Sequence, residues 1–385
     1  MNGSLALTLA YLRFHRWKTI LLVSALTLTL FLPLMLHRLI QHTEQHMAAR
    51  AEATPMIAGA KGDRYDLVVN SLYFTTGSPD FITYGETQQI IDTGQADAFP
   101  LHVKYTARKK PVVGITLDYF KFRGLKPARG TLPLRLGDCV LGAGVAVDLD
   151  LEPGEQVLTD QTSLFNIAAS YPLKLRITGI LQETGTPDDQ AIFVDLKTAW
   201  VIEGYAHGHD KVEGDSVLEQ DGDLVRANAS VTEYNEITDE NINEFHLHGD
   251  TANLPISSII IHPHTTKDGT LLKAEYNRSE TRQMLVSTTI IEELLGMVFR
   301  VKRFFDASFG IVCIATALFI ILIILLSLRI RKREMETMYK IGCSRGTMVK
   351  LQLAEWSVIT LISLTLAAIL AMAILRASPA WKLMS

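Results

Sequence analysis

The residues with the clearest chemical potential are histidines. His207-Gly-His209 precedes Asp210, and His246-Leu-His248 precedes Gly249 and Asp250. His262-Pro-His264 adds a third pair. Side chains two apart on an extended segment point to one face, so each pair can present two imidazoles together. Imidazole with carboxylate suits zinc, copper or nickel, which makes His207, His209, His246 and His248 candidate ligands. The alternative is plain solvation, because residues 207–254 are polar and acidic and histidines there need no metal. Catalytic patterns are absent: the chain has no G-x-S-x-G, no H-E-x-x-H and no Cys-x-x-Cys. Its three cysteines, Cys139, Cys313 and Cys343, lie in a soluble region, an apolar stretch and a basic loop, so no disulfide is expected.

Positioning these residues is a chain of strongly segregated composition. Among its 385 residues, three stretches are almost purely apolar: 19–36, 307–328 and 357–375. None contains Asp, Glu, Lys, Arg or His. A hydrocarbon core of about 30 Å takes roughly 20 helical residues, so each can span a bilayer. A cleaved signal fits the first poorly, since no small-residue cleavage site follows it. Arg13, Arg16 and Lys18 precede the first span, and seven basic residues lie in 329–355. These place the amino terminus and the basic loop in the cytoplasm. Arg300, Lys302 and Arg303 oppose that orientation but are fewer. Residues 5–18 read as an amphipathic helix in the cytoplasmic interface, or as an extension of the first span. The expected plan is therefore an interfacial helix and first span (1–36), an outer domain (37–306), a second span (307–328), a loop (329–355), a third span (356–376) and an outer tail (377–385).

The outer segment carries 25 Lys/Arg against 38 Asp/Glu, whereas the whole chain nets only −4. Strand-like runs at 66–69, 111–117, 173–180, 191–194 and 257–261, separated by turn signals, predict an α+β domain. Residues 207–254 read as an inserted polar loop. Residues 279–305 read as a helix that continues into the second span as a stalk, or else as an ordinary packed helix.

The loop has its own physical logic. Residues 330–341 suit a helix, Gly342 can end it at positive φ, and Ser344 can cap the next. Met335, Met338, Tyr339 and Ile341 offer apolar contacts, and Glu334, Lys340 and Arg345 offer charges. The alternative is that the basic run only sets topology and meets anionic lipid.

The run Arg331-Lys-Arg333-Glu334 through Met338, Lys340, Gly342, Ser344 and Arg345, with Glu355 beyond, resembles the loop of FtsX/MacB-like ABC-transporter permeases. Val113-Gly-Ile-Thr-Leu-Asp-Tyr119-Phe, Val140-Leu-Gly-Ala-Gly-Val-Ala146 and Leu151-Glu-Pro-Gly154 resemble the MacB-type periplasmic domain, as does the segment from Thr54 to Gly62. The resemblance implies a bacterial inner-membrane permease that relays motion to an outer domain. It implies that Arg333, Glu334, Met338, Lys340, Gly342, Ser344, Arg345 and Glu355 couple it to a separate ABC ATPase. It further implies a permease dimer, and a periplasmic adaptor or lipoprotein as partner. The family has four spans where three are read here, and no G-x-x-x-x-G-K-[ST] is present, so ATP is expected on the other subunit. No nucleic acid and no cofactor beyond zinc is expected. The rival reading is a membrane-anchored scaffold or ligand sensor regulating an outer partner.

Overall fold

The computed structural model describes residues 3–75, 80–160, 172–207, 217–221, 224–227, 235–247, 249–330, 336–337, 340–342 and 344–377. The chain divides into two compact units, Met1–Gln45 with Leu295–Lys382, and His46–Leu294.

The second unit is built on a ten-stranded mixed sheet. Its strands are β1 (Met56–Ala60), β3 (Ala96–Ala107), β4 (Lys110–Ile115), β5 (Pro127–Gly130), β6 (Asp138–Leu141), β7 (Gln156–Leu158), β8 (Lys174–Leu181), β9 (Ile192–Asp195), β15 (Ser258–Pro263) and β16 (Arg282–Val286). They lie in the order β16-β1-β15-β3-β4-β9-β6-β8-β5, with β7 also on β8. Pairs β4/β9 and β6/β8 are parallel. Among the described residues there are also three two-stranded pairs: β2 (Ile82–Thr83) with β14 (Pro255–Ile256), β10 (Ala206–His207) with β13 (His246–Leu247), and β11 (Val217–Asp221) with β12 (Leu224–Ala227).

Short helices connect the strands. They are α3 (Arg64–Tyr73), α4 (Gly85–Asp92), α5 (Asp118–Arg123), α6 (Ala143–Leu149), α7 (Leu196–Glu203) and α8 (Thr266–Tyr276). Central strands such as β6 and β9 are buried along nearly their whole length, as expected for strands covered on both faces. The aromatic part of the core holds Phe74, Tyr119, Phe120 and Phe193.

Four expectations are corrected here. Residues 66–69 are helical, because the Asp63 carboxylate accepts from the Tyr65 and Asp66 amides and caps α3. The helix expected over 279–305 begins only at Ser287. Arg282–Val286 instead pairs along its whole length with β1, from Met56↔Val286 to Ala60↔Arg282, so ladder bonds override the helical periodicity. Residues 207–254, read as an inserted polar loop, hold short paired strands among their described residues, since β10–β13 involve them. The helix expected over 5–18 breaks at His15, giving α1 (Gly3–Phe14) and α2 (Arg16–Glu52).

The first unit contains α1, most of α2, most of α9 (Ser287–Ile330) and α10 (Arg345–Ala377). Among the described residues two helices are long and apolar enough to cross a membrane, Arg16–Glu52 and Val349–Ile374. The expected second span lies within α9, where the described apolar segment is the shorter Ala307–Phe319. Leu21, Leu28, Ile311, Leu318 and Leu361 are each more than half exposed, which suits lipid rather than water. Between helices, some contacts are small and polar. Thr27 donates to the Ser363 carbonyl at 3.4 Å, Ser363 donates to the Val23 carbonyl at 3.3 Å, and the Thr29 and Thr316 hydroxyls lie 3.3 Å apart. Pro33 contributes no N–H to the α2 ladder, so one turn of that helix lacks a bond.

Candidate functional site

Of the residues implicated in coupling, Arg333, Glu334 and Met338 lie outside the described residues. Lys340 is exposed. Gly342 has φ 101°, a left-handed conformation that strains any other L-residue, and a Cβ there meets nothing within 4 Å. Only the backbone therefore demands glycine. Ser344 accepts from the Thr347 amide at 3.2 Å and so caps α10, which Arg345 opens. Ile341 and Val349 are 81% and 58% exposed and give the turn an apolar face.

Glu355 is placed differently. It is only 3% exposed, and its carboxylate lies 3.7 Å from Lys18 at the start of α2. Beside it Leu12, Leu22 and Ile359 form a small buried cluster, against which Trp356 packs. The second helix of the loop is thus fastened to the amino-terminal helices.

In the other unit the informative place is where α2 and α9 meet the sheet. Helix α2 ends at Glu52, and β1 begins four residues later. Strand β16 ends at Val286, and α9 begins at the next residue. Because β1 and β16 are antiparallel neighbours with Met56 opposite Val286, the two helices leave from the same end of adjacent strands. The Ser287 amide donates to the Pro55 carbonyl at 3.2 Å and ties the two exits together.

At the α2 exit sits a buried polar group unread in the sequence. Arg50 donates to both carboxylate oxygens of Asp188, at 2.6 and 3.0 Å, and to the Leu72 carbonyl at 3.2 Å. The Tyr119 hydroxyl donates to Asp188 at 2.8 Å and accepts from Arg50 at 3.2 Å. Arg50 and Asp188 side chains are 5% and 2% exposed. Burial opposes the charge of each, but the pair outweighs it: the Asp188 carboxyl is held below its ordinary value and the Arg50 guanidinium above its own. Burial pushes the neighbouring Tyr119 hydroxyl up. Arg123 of α5 reaches back to the Ala53 carbonyl at 2.9 Å and to Thr54 Oγ1 at 2.7 Å, a cation at the carboxyl end of α2 where the helix dipole favours it.

At the α9 exit the charged contact is Arg64 with Glu293 at 3.0 Å, and these side chains are 49% and 39% exposed. Nothing in the sequence relates Arg50 to Asp188, which are 138 residues apart; the turn at 184–189 is the only local signal.

Among the histidines, His207 and His246 are register partners of the β10–β13 pair. His209 and His248 lie outside the described residues. Among the described residues no group of three or more His, Cys, Asp or Glu is arranged to hold a metal ion.

Residues 47–234 match the family described as the MacB-like periplasmic core domain. No curated protein matches the chain. The periplasmic region of MacB from Actinobacillus actinomycetemcomitans aligns with 63% of this chain and 92% of its own, at 12% identity and TM-score 0.34. The extracellular domain of the noncanonic ABC-type transporter YknZ from Gram-positive bacteria aligns with 60% and 98%, at 11% identity and TM-score 0.33. A domain of a putative permease from Porphyromonas gingivalis aligns with 60% and 86%, at 8% identity and TM-score 0.28. Residues 47–234, which include the motifs at 54–62, 113–120, 140–146 and 151–154, thus form a MacB-like periplasmic core domain, the domain type found in MacB-like ABC-transporter permeases.

Proposed function

We propose that this chain is a permease subunit that converts ATP hydrolysis on a separate cytoplasmic ATPase into motion of its outer domain, serving export or extraction of a lipoprotein, peptide, lipid or drug. It crosses the membrane three times with its amino terminus inside, and it works as a homo- or heterodimer. The ATPase docks on the loop through Arg333, Glu334, Met338, Lys340, Gly342, Ser344 and Arg345. Glu355, buried beside Lys18, holds the loop's second helix in place. A periplasmic adaptor or lipoprotein receives the motion.

The observation that carries this reading is the pair of adjacent strands, β1 and β16, that join to α2 through three residues and to α9 with none between. Those three residues are tied down by the Ser287–Pro55 and Arg123–Ala53 bonds, so movement of either helix end is passed to the sheet. The apolar stretches hold no Asp, Glu, Lys, Arg or His, which disfavours a polar or ionic path through them.

Two measurements test the reading together. Single cysteines at Lys340 and Lys267, probed with an impermeant reagent on intact cells, are expected to be protected and labelled respectively. The chain purified with its ATPase is expected to lose that subunit when Lys340→Ala and Gly342→Val are combined. Labelling of both positions from one side, or an undiminished complex, contradicts the reading.

A further inference from the structure

We propose that the α2 joint, not the α9 joint, delivers motion into the body of the outer domain, and that Arg50, Asp188 and Tyr119 are the positioning residues that make it do so. This rests on the mechanotransmission reading above and adds which helix bears the load and where the load goes.

The last turn of α2 is attached to the domain at widely separated points. The chain itself leads into β1. The Arg50–Asp188 pair grips the 3-10 turn Pro187–Gln190, which leads into β9, four strands from β1 in the sheet order. Arg123 grips it from α5, which follows β4. One helix end therefore holds elements that adjoin β1, β4 and β9. The turn itself is firmly built: Asp189 accepts from the Thr184 and Gly185 amides at 3.0 and 2.7 Å. It is also closely packed, since a Cβ on Gly142 meets the Asp188 and Asp189 backbone within 2.5 Å.

By contrast, α9 leads straight into β16, the edge strand, and its side-chain ties are to α3, where Glu293 meets Arg64 and Tyr65 in a half-exposed group; the Ser287–Pro55 bond joins it to the start of β1. An exposed pair is screened and weak, whereas parting a buried one strands a charge away from water. A displaced α2 end therefore pulls on both halves of the sheet through buried contacts. A displaced α9 end acts on the edge and on α3.

The test uses the full chain with its co-purified ATPase in nanodiscs, followed by hydrogen exchange with and without ATP plus vanadate. In the wild type, nucleotide is expected to change exchange at 56–60 and 282–286 and also at 118–123 and 187–190. In the double variant Arg50→Met, Asp188→Leu, which removes both partners of the pair, the change at the two strands is expected to persist, and that at 118–123 with it, because Arg123 still holds α5 to the end of α2. The change at 187–190 is expected to be lost, with protection of β3 and β4 as in the wild type. If the double variant does not fold, Arg50→Lys decides: it keeps the charge but not the forked contact, and it is expected to weaken the response at 187–190 only. A response there equal to the wild type, in whichever variant is read, overturns the inference and leaves the mechanotransmission reading standing. A wild type that traps nucleotide with vanadate while its strands 56–60 and 282–286 do not respond overturns that reading and the inference with it.

Discussion

Helices α2 and α9 meet neighbouring strands of one sheet, yet they are held there by opposite means. At the α2 end a fully buried guanidinium, carboxylate and phenol close on one another. At the α9 end a half-exposed Arg64–Glu293 pair lies in reach of water. The chemistry is nominally the same, and its mechanical consequence is set by burial. In water an ion pair re-forms with solvent as it opens. Inside, no solvent replaces the partner, so the contact holds or fails as a unit.

The sharpest way to break that comparison is to remove one partner at each joint. Arg50→Ala leaves Asp188 buried and unpaired and is expected to cost about 3–5 kcal/mol of outer-domain stability. Thermal or denaturant unfolding of the full chain checks it, and a loss under about 1 kcal/mol would mean that water already reaches the site. Asp188 also predicts an acid dependence. Its folded value is depressed, so its contribution is complete above the unfolded carboxylate range and disappears as pH falls below that range and through the folded value. Asp188→Asn is expected to be less stable at neutral pH and to lose less stability on acidification, which melting curves from pH 7 to pH 3 would reveal. Arg64→Ala, the matching change at the other joint, is expected to cost at most about 1 kcal/mol. A loss equal to that of Arg50→Ala would erase the distinction between the joints.

The smallest expected effect lies away from both. We propose that His207, His209, His246 and His248 bind zinc, because β10 and β13 bring two of them into register. Zinc titrated into the full chain is expected to give micromolar heats that vanish when the four are replaced by alanine. An unchanged titration leaves the histidines as solvated loop residues.

How much of this was legible in the sequence depends on the range of the interaction. Composition marked the segregation into apolar and soluble parts, because bilayer length acts on contiguous residues. Most central strands were readable from their own apolar runs, as at 111–117, 173–180 and 191–194. The family motifs in 113–154 fell on the segment that the family match covers. Arg282–Val286 was misread as helix because its local pattern permits one, and only its partner β1 makes it a strand. Residues 66–69 were misread as a strand because the deciding bond comes from Asp63, just outside the window. The Arg50–Asp188–Tyr119 group was invisible, since three polar residues on three distant segments carry no spacing at all. Gly342 was the opposite case: a turn between two helical stretches requires positive φ locally, and φ is 101°.

The most direct test of the account is a distance. Spin labels at Lys121→Cys on α5 and Glu292→Cys at the start of α9, both exposed positions, would be placed in a full chain whose own cysteines are alanine. With the ATPase subunit in nanodiscs, the separation is predicted to shift on ATP turnover, because α5 follows α2 while α9 yields. An identical distance distribution with and without nucleotide, while ATP is being hydrolysed, would contradict the account.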